Sequence, residues 1–125
     1  AGFFAESYVD GLIGYSKVFH QAGISWTLSS YATEAANFGI FIGKYENMQK
    51  VAERIRQAAI DLGVKRIVVG ECGHAWRVAY SFWKPLIGPF DFLDPAYPTP
   101  QHICELTYDL LQQGQLKLDP AQNDD

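Results

Sequence analysis

The chain has 125 residues, of which 48% are hydrophobic, 14% aromatic and 19% charged, with a formal net charge of −4. This balance suits one folded domain with a single sizeable core and excludes a disordered or low-complexity chain. The acidic net charge disfavours nucleic-acid binding, which needs concentrated Lys and Arg, and no apolar run reaches the roughly twenty residues of a membrane-spanning helix. Two cysteines, Cys72 and Cys104, are too few for a disulfide framework and fit a reducing compartment. The opening Ala1-Gly2-Phe3-Phe4, a single methionine at Met48 and a polar ending after Asp119 read as one domain, 1–125, excised from a longer subunit.

From Tyr8 to Ala22, Leu12, Ile13, Tyr15, Val18 and Phe19 recur at helical spacing, and Gly23 is placed to close the helix. Ile24 to Ser29 alternates and is rich in β-formers, so a strand is expected there. A loop and a short helix from about Thr33 follow. The clearest element is the helix Tyr45 to Leu62: Met48, Val51, Ala52, Ile55, Ala59 and Leu62 form an apolar stripe, with Lys50, Glu53, Arg54, Gln57 and Asp61 facing away. After Gly63, Ile67 to Val69 reads as a parallel strand covered on both faces. The segment His74 to Leu86 reads as a helix broken near Pro85, and Ile87 to Pro98 as a proline-aromatic loop. The last helix is expected from Thr99 as N-cap, with Pro100 in its first turn and Gly114 closing it. Strands alternating with helices predict a three-layer α/β fold, a small parallel sheet flanked by helices.

The candidate site is the stretch Gly70-Glu71-Cys72-Gly73-His74, which falls at the carboxyl end of the predicted strand, where open α/β sheets meet their ligands. Cys72 is expected near a helix N-terminus, where the dipole favours a thiolate. His74 is placed to share its proton and Arg77 to hold an anion, while Glu71 opposes an ionised thiol. The plain alternatives are a cysteine filling space, a histidine capping the helix and a solvated arginine. No second ligand stands at CxxC or CxxH spacing, so a self-contained zinc or iron–sulfur site is not expected. Cys104 borders the stripe of Ile103, Leu106, Thr107, Leu110 and Leu111 and reads as core. Trp26, Trp76 and Trp83 also read as core, Trp76 being the one placed to do either job beside the glycine turn.

From about Gly11 to Leu118 the sequence, notably "ANFGIFIGKYEN", "GECGHAW" and "HICEL", resembles the cysteine-rich (CCG) modules of heterodisulfide reductase catalytic subunits, within them the DsrK-like iron–sulfur subunits of sulfur metabolism. The resemblance implies a Rossmann-like half of a tandem protein whose complete cysteine set holds a [4Fe–4S] cluster. It also implies a second CCG module in the same chain, DsrM-like membrane-complex subunits, a DsrC-like sulfur-carrier protein and a cytoplasmic location at the inner face of the membrane. Ser29, Ser30 and Tyr31 stand where the family has its Cys-Cys turn, and Ala75 stands where Cys72 would have a partner. The chain therefore resembles a degenerate first module, which binds no cluster alone and lends Cys72, His74 and Arg77 to a cavity in the parent oxidoreductase. A second reading is a non-catalytic scaffold that packs on neighbouring subunits through the aromatic loop Phe82 to Tyr97.

Overall fold

The computed structural model describes residues 9–29, 43–70 and 72–122. Within them the chain is a mixed α/β structure whose parallel two-stranded sheet is flanked by helices. In chain order the elements are α1 (Val9–Gln21), α2 (Tyr45–Asp61), β1 (Val68–Val69), α3 (Gly73–Val78), a π-helical turn (Ala79–Trp83), α4 (Lys84–Ile87), β2 (Gln101–His102), α5 (Ile103–Gln112) and a final 3₁₀ turn (Pro120–Gln122).

The α2 helix follows the apolar stripe in its sequence. Met48 and Ala52 are completely buried, with Ile55, Ala58 and Ala59 beside them. The helix stops at Gly63, whose φ of 64° is a conformation that costs other residues a Cβ clash. There the Gly63 and Val64 N–H groups donate back to the Ile60 and Ala59 carbonyls, at 2.9 and 3.2 Å. The same pair of bonds closes α1 at Gly23 and α5 at Gly114.

β1 and β2 pair in parallel, Val68 opposite Gln101 and Val69 opposite His102. The connection between them runs through α3, the π turn and α4, so the unit is β-α-β. Ile67 and Val69 pack inward on the α2 side, whereas Val68 is 36% exposed. A strand covered on both faces was expected; with only two strands paired among the described residues, its outer face keeps solvent contact.

Two hydrophobic clusters hold the elements together. One joins Met48, Ala52 and Ile55 of α2 to Val78, Ala79, Trp83, Phe90 and Leu93. The other joins Phe19 of α1 to Ile103, Leu106 and Leu110 of α5. Each large side chain in them contributes about 1.5–3 kcal/mol by leaving water.

Several sequence-based expectations give way here. Ile24 to Ser29 forms no strand: Ile24 is consumed in closing α1, and the Trp26 ring packs on Phe19 at 5.4 Å, so the segment lies along α1 and joins no ladder. Trp26 stays 45% exposed, against the expectation of a core residue. The helix expected from Thr33 lies outside the described residues.

Pro85 does not break its helix. The chain is helical from Gly73 to Ile87, and the wide π turn falls just upstream of Pro85, where a proline leaves the carbonyl four residues back without a donor and crowds it. The last helix begins at Ile103 rather than beside Thr99, because Gln101 and His102 are taken into the sheet first.

Two of the large rings of the aromatic loop, Trp83 and Phe90, are buried rather than offered as an outer contact face. Trp83 is 2% and Phe90 5% exposed, their rings stack at 5.9 Å, and Phe92 packs on Phe90 at 5.7 Å. Its aromatic density builds the core of this small domain, because the short sheet offers little apolar surface of its own.

Candidate functional site

The turn after β1 is built from the backbone outward. Gly70 leads out of the strand, and the Cys72 N–H donates to its carbonyl at 2.8 Å. A Cβ on Gly70 would stand 2.6 Å from Tyr15 Oη, so the glycine lets α1 close against the strand end. Cys72 has extended backbone angles and is the N-cap of α3: its carbonyl accepts the first helical bond from Trp76 N–H at 3.1 Å, and its Sγ accepts from Ala75 N–H at 3.5 Å. The sulfur thus occupies the position a serine or aspartate usually holds, satisfying one of the first-turn donors.

The three residues singled out in the sequence lie along one short helix, Cys72 as its N-cap, His74 in its first turn and Arg77 in its last. Cys72 is a free, half-buried thiol, and His74 and Arg77 are exposed one turn apart on the outer side of α3, opposite the buried Ala75 and Val78. Cys72, not His74, caps the helix. Glu71 lies outside the described residues. Among the described residues no three His, Cys, Asp or Glu side chains gather as metal ligands. No described helix is long and apolar enough to cross a membrane.

A second feature lies further along the same helical run. Tyr80, Tyr97, Cys104, Glu105, Tyr108 and Asp109 line an open groove of about 610 Å³, walled on one side by Pro98 and Pro100. None of Cys72, His74 and Arg77 lines it. The two places are bridged by Trp76, whose ring stacks on Tyr80 at 5.3 Å and meets His102 edge-on at 6.1 Å.

His102 in turn caps α5. Its Nδ1 accepts from Cys104 N–H at 3.2 Å, which requires the tautomer with the proton on Nε2, while its own N–H donates to Glu105 Oε2 at 2.9 Å. Cys104, expected in the core, is exposed on the groove side of α5. The inward face of that helix is already filled by Ile103, Leu106 and Leu110. The groove went unseen in the sequence, although Cys104, Glu105, Tyr108 and Asp109 follow the complementary helical spacing, the face left over once the apolar stripe is removed.

The iron–sulfur cluster implied by the family resemblance can be tested against these residues. A cluster of this kind takes four thiolates. The whole chain has two cysteines, one turned to its own helix as a cap and the other exposed on a different helix. The residues present do not fit a cluster held by this chain alone.

No protein-family model and no solved structure matches the chain. Two curated proteins do. The Hdr-like menaquinol oxidoreductase iron–sulfur subunit of Archaeoglobus profundus is 38% identical over 93 residues, 71% of this chain and 16% of that protein. The Hdr-like menaquinol oxidoreductase iron–sulfur subunit 2 of Archaeoglobus fulgidus is 38% identical over 86 residues, 66% of this chain and 15% of that protein. The chain is thus similar to one segment of Hdr-like menaquinol oxidoreductase iron–sulfur subunits. The matched segment is about one sixth of the length of these relatives, so the similarity concerns a single module within much larger Hdr-like proteins.

Proposed function

We propose that this chain is a degenerate cysteine-rich (CCG) module of an Hdr-like, DsrK-type iron–sulfur subunit that takes part in thiol–disulfide electron transfer. The observation that carries the reading is the 38% identity, over 71% of the chain, to a subunit named as an Hdr-like menaquinol oxidoreductase iron–sulfur subunit. The thiol count supports the word degenerate, since two cysteines cannot ligate a four-iron cluster. In this reading the [4Fe–4S] cluster belongs to a second CCG module of the parent protein. The parent passes electrons between a quinone pool and a DsrC-like sulfur carrier, on the cytoplasmic side of the membrane beside DsrM-like subunits.

Within such a parent, Cys72, His74 and Arg77 line the cavity that receives the carrier. Arg77 and His74 present their polar ends from one side of α3, and Arg77 supplies a fixed positive charge for a carboxylate or thiolate tail. The test is made in the intact subunit: Cys72→Ala and Arg77→Ala are expected to weaken carrier binding and slow turnover. Unchanged binding and turnover in both variants would remove the site and leave only the fold. Anaerobic iron–sulfur reconstitution of the chain by itself is expected to give no cluster absorbance in the visible range. A brown protein with one stoichiometric cluster contradicts the reading.

A further inference from the structure

The groove between α5 and the loop before β2 is not used by this reading, and its chemistry is specific. Two of its tyrosines stand out from the surface, Tyr80 57% and Tyr108 62% exposed. The third, Tyr97, is held in place: the Arg66 guanidinium lies 3.5 Å from its ring centroid, and its N–H donates to the Asp94 carbonyl at 2.7 Å. Pro98 and Pro100 stiffen the same wall.

The charge of the groove is one-sided. Among the described residues its lining includes the carboxylates of Glu105 and Asp109 and no lysine or arginine, Arg66 stacking on Tyr97 without being one of the lining residues. Both carboxylates are held in place, Glu105 by its bond from His102 N–H and Asp109 by the Gln101 Nε2 donor at 3.3 Å. The complementary occupant is cationic.

The shape selects the kind of occupant. A compact small ligand is held by burying most of its surface in an enclosed pocket, and this groove is open to solvent. An open, tyrosine-rich surface suits an extended chain, and a polyproline II segment loses little entropy on binding and packs its rings against aromatic side chains.

We propose that this groove docks an extended, proline-containing segment of a partner protein that carries a lysine or arginine. The Tyr80, Tyr97 and Tyr108 rings receive the proline and aliphatic faces, and Glu105 with Asp109 receives the cation. The proposal is independent of the electron-transfer reading above, since it rests on none of Cys72, His74 and Arg77.

The probe is a fluorescein-labelled synthetic peptide with two Pro-x-x-Pro repeats followed by two arginines, titrated with the full chain and read by anisotropy. Saturable binding tighter than about 1 mM is expected, falling as salt rises. Replacing the prolines by alanine, or the arginines by glutamate, is expected to weaken it at least tenfold. The Tyr80→Ala/Tyr108→Ala double variant, whose two substitutions lie outside both buried clusters, is expected to do the same while keeping its circular dichroism. Because Cys104 lines the groove, bound peptide should also slow its alkylation by iodoacetamide, read by peptide mass spectrometry. Absence of saturation, equal affinity of the tyrosine double variant or of the alanine peptide, or an unprotected Cys104 would each overturn the proposal.

Discussion

Substituting Gly70 by alanine tests the contact that ties α1 to the strand end ahead of Cys72. The added methyl carbon would sit 2.6 Å from Tyr15 Oη and 2.7 Å from both Cε2 and Cζ. That is about 1 Å inside the roughly 3.5–4.0 Å at which carbon atoms pack best. Tyr15 packs against the cluster of Phe19, Ile103, Leu106 and Leu110, and its ring is rigid, so relief requires moving the ring or the strand end. Overpacking of this sort costs about 1–3 kcal/mol, against about 0.4–1 kcal/mol gained by restricting the unfolded chain. A net loss of about 1–2 kcal/mol is expected, which for a domain of this size is a fall in Tm of roughly 3–10 °C. Urea denaturation followed by circular dichroism measures it. The partner experiment is the double-mutant cycle with Tyr15→Ala: without the ring, adding the methyl group should cost nothing or stabilise slightly. A Gly70→Ala variant as stable as the parent chain, or one whose penalty survives in the Tyr15→Ala background, refutes the contact as the cause.

Other expectations are more local. His102→Ala should lose about 1 kcal/mol through the bare Cys104 N–H at the start of α5, and His102→Asn should recover most of it; the two urea midpoints decide this. Leu106→Ala should cost about 2–5 kcal/mol, because that side chain is 2% exposed between α1 and α5, and the same urea titration reads it. Cys72→Ser should be neutral or stabilising by up to about 1 kcal/mol, since a hydroxyl is a better N-cap acceptor than sulfur; a clear loss of Tm means the sulfur is packed rather than capping. In the chain alone, iodoacetamide should modify the exposed Cys104 before the half-buried Cys72, and timed mass spectrometry of the two peptides reveals the order.

Much of the candidate site was legible because it depends on short-range order. An apolar strand followed by a glycine turn and a helix is a local pattern, and it put Cys72 at the start of the helix that carries His74 and Arg77. The groove was not legible, because its walls come from three separated parts of the chain: Tyr80, the Ala96–Pro100 turn and the outer face of α5. Cys104 shows why. It stands beside the core residue Ile103 in the sequence, and only the rotation of α5 against Phe19 decides that Ile103, Leu106 and Leu110 fill the inward face and the thiol points out.

The sequence by itself determined the elements whose information is periodic and local. The apolar stripe of α2, the glycine stops after α1, α2 and α5, and the shortage of thiolate ligands follow from residue types and spacings, because helix geometry repeats every few residues and a missing cysteine cannot be supplied by folding. Tertiary structure decided the rest. The pairing of Val68 and Val69 with Gln101 and His102 moved the start of α5, since a strand forms only where a partner exists. Burial of Trp83 and Phe90 turned an aromatic loop from a surface into a core, since what an aromatic ring packs against depends on residues far away in the chain.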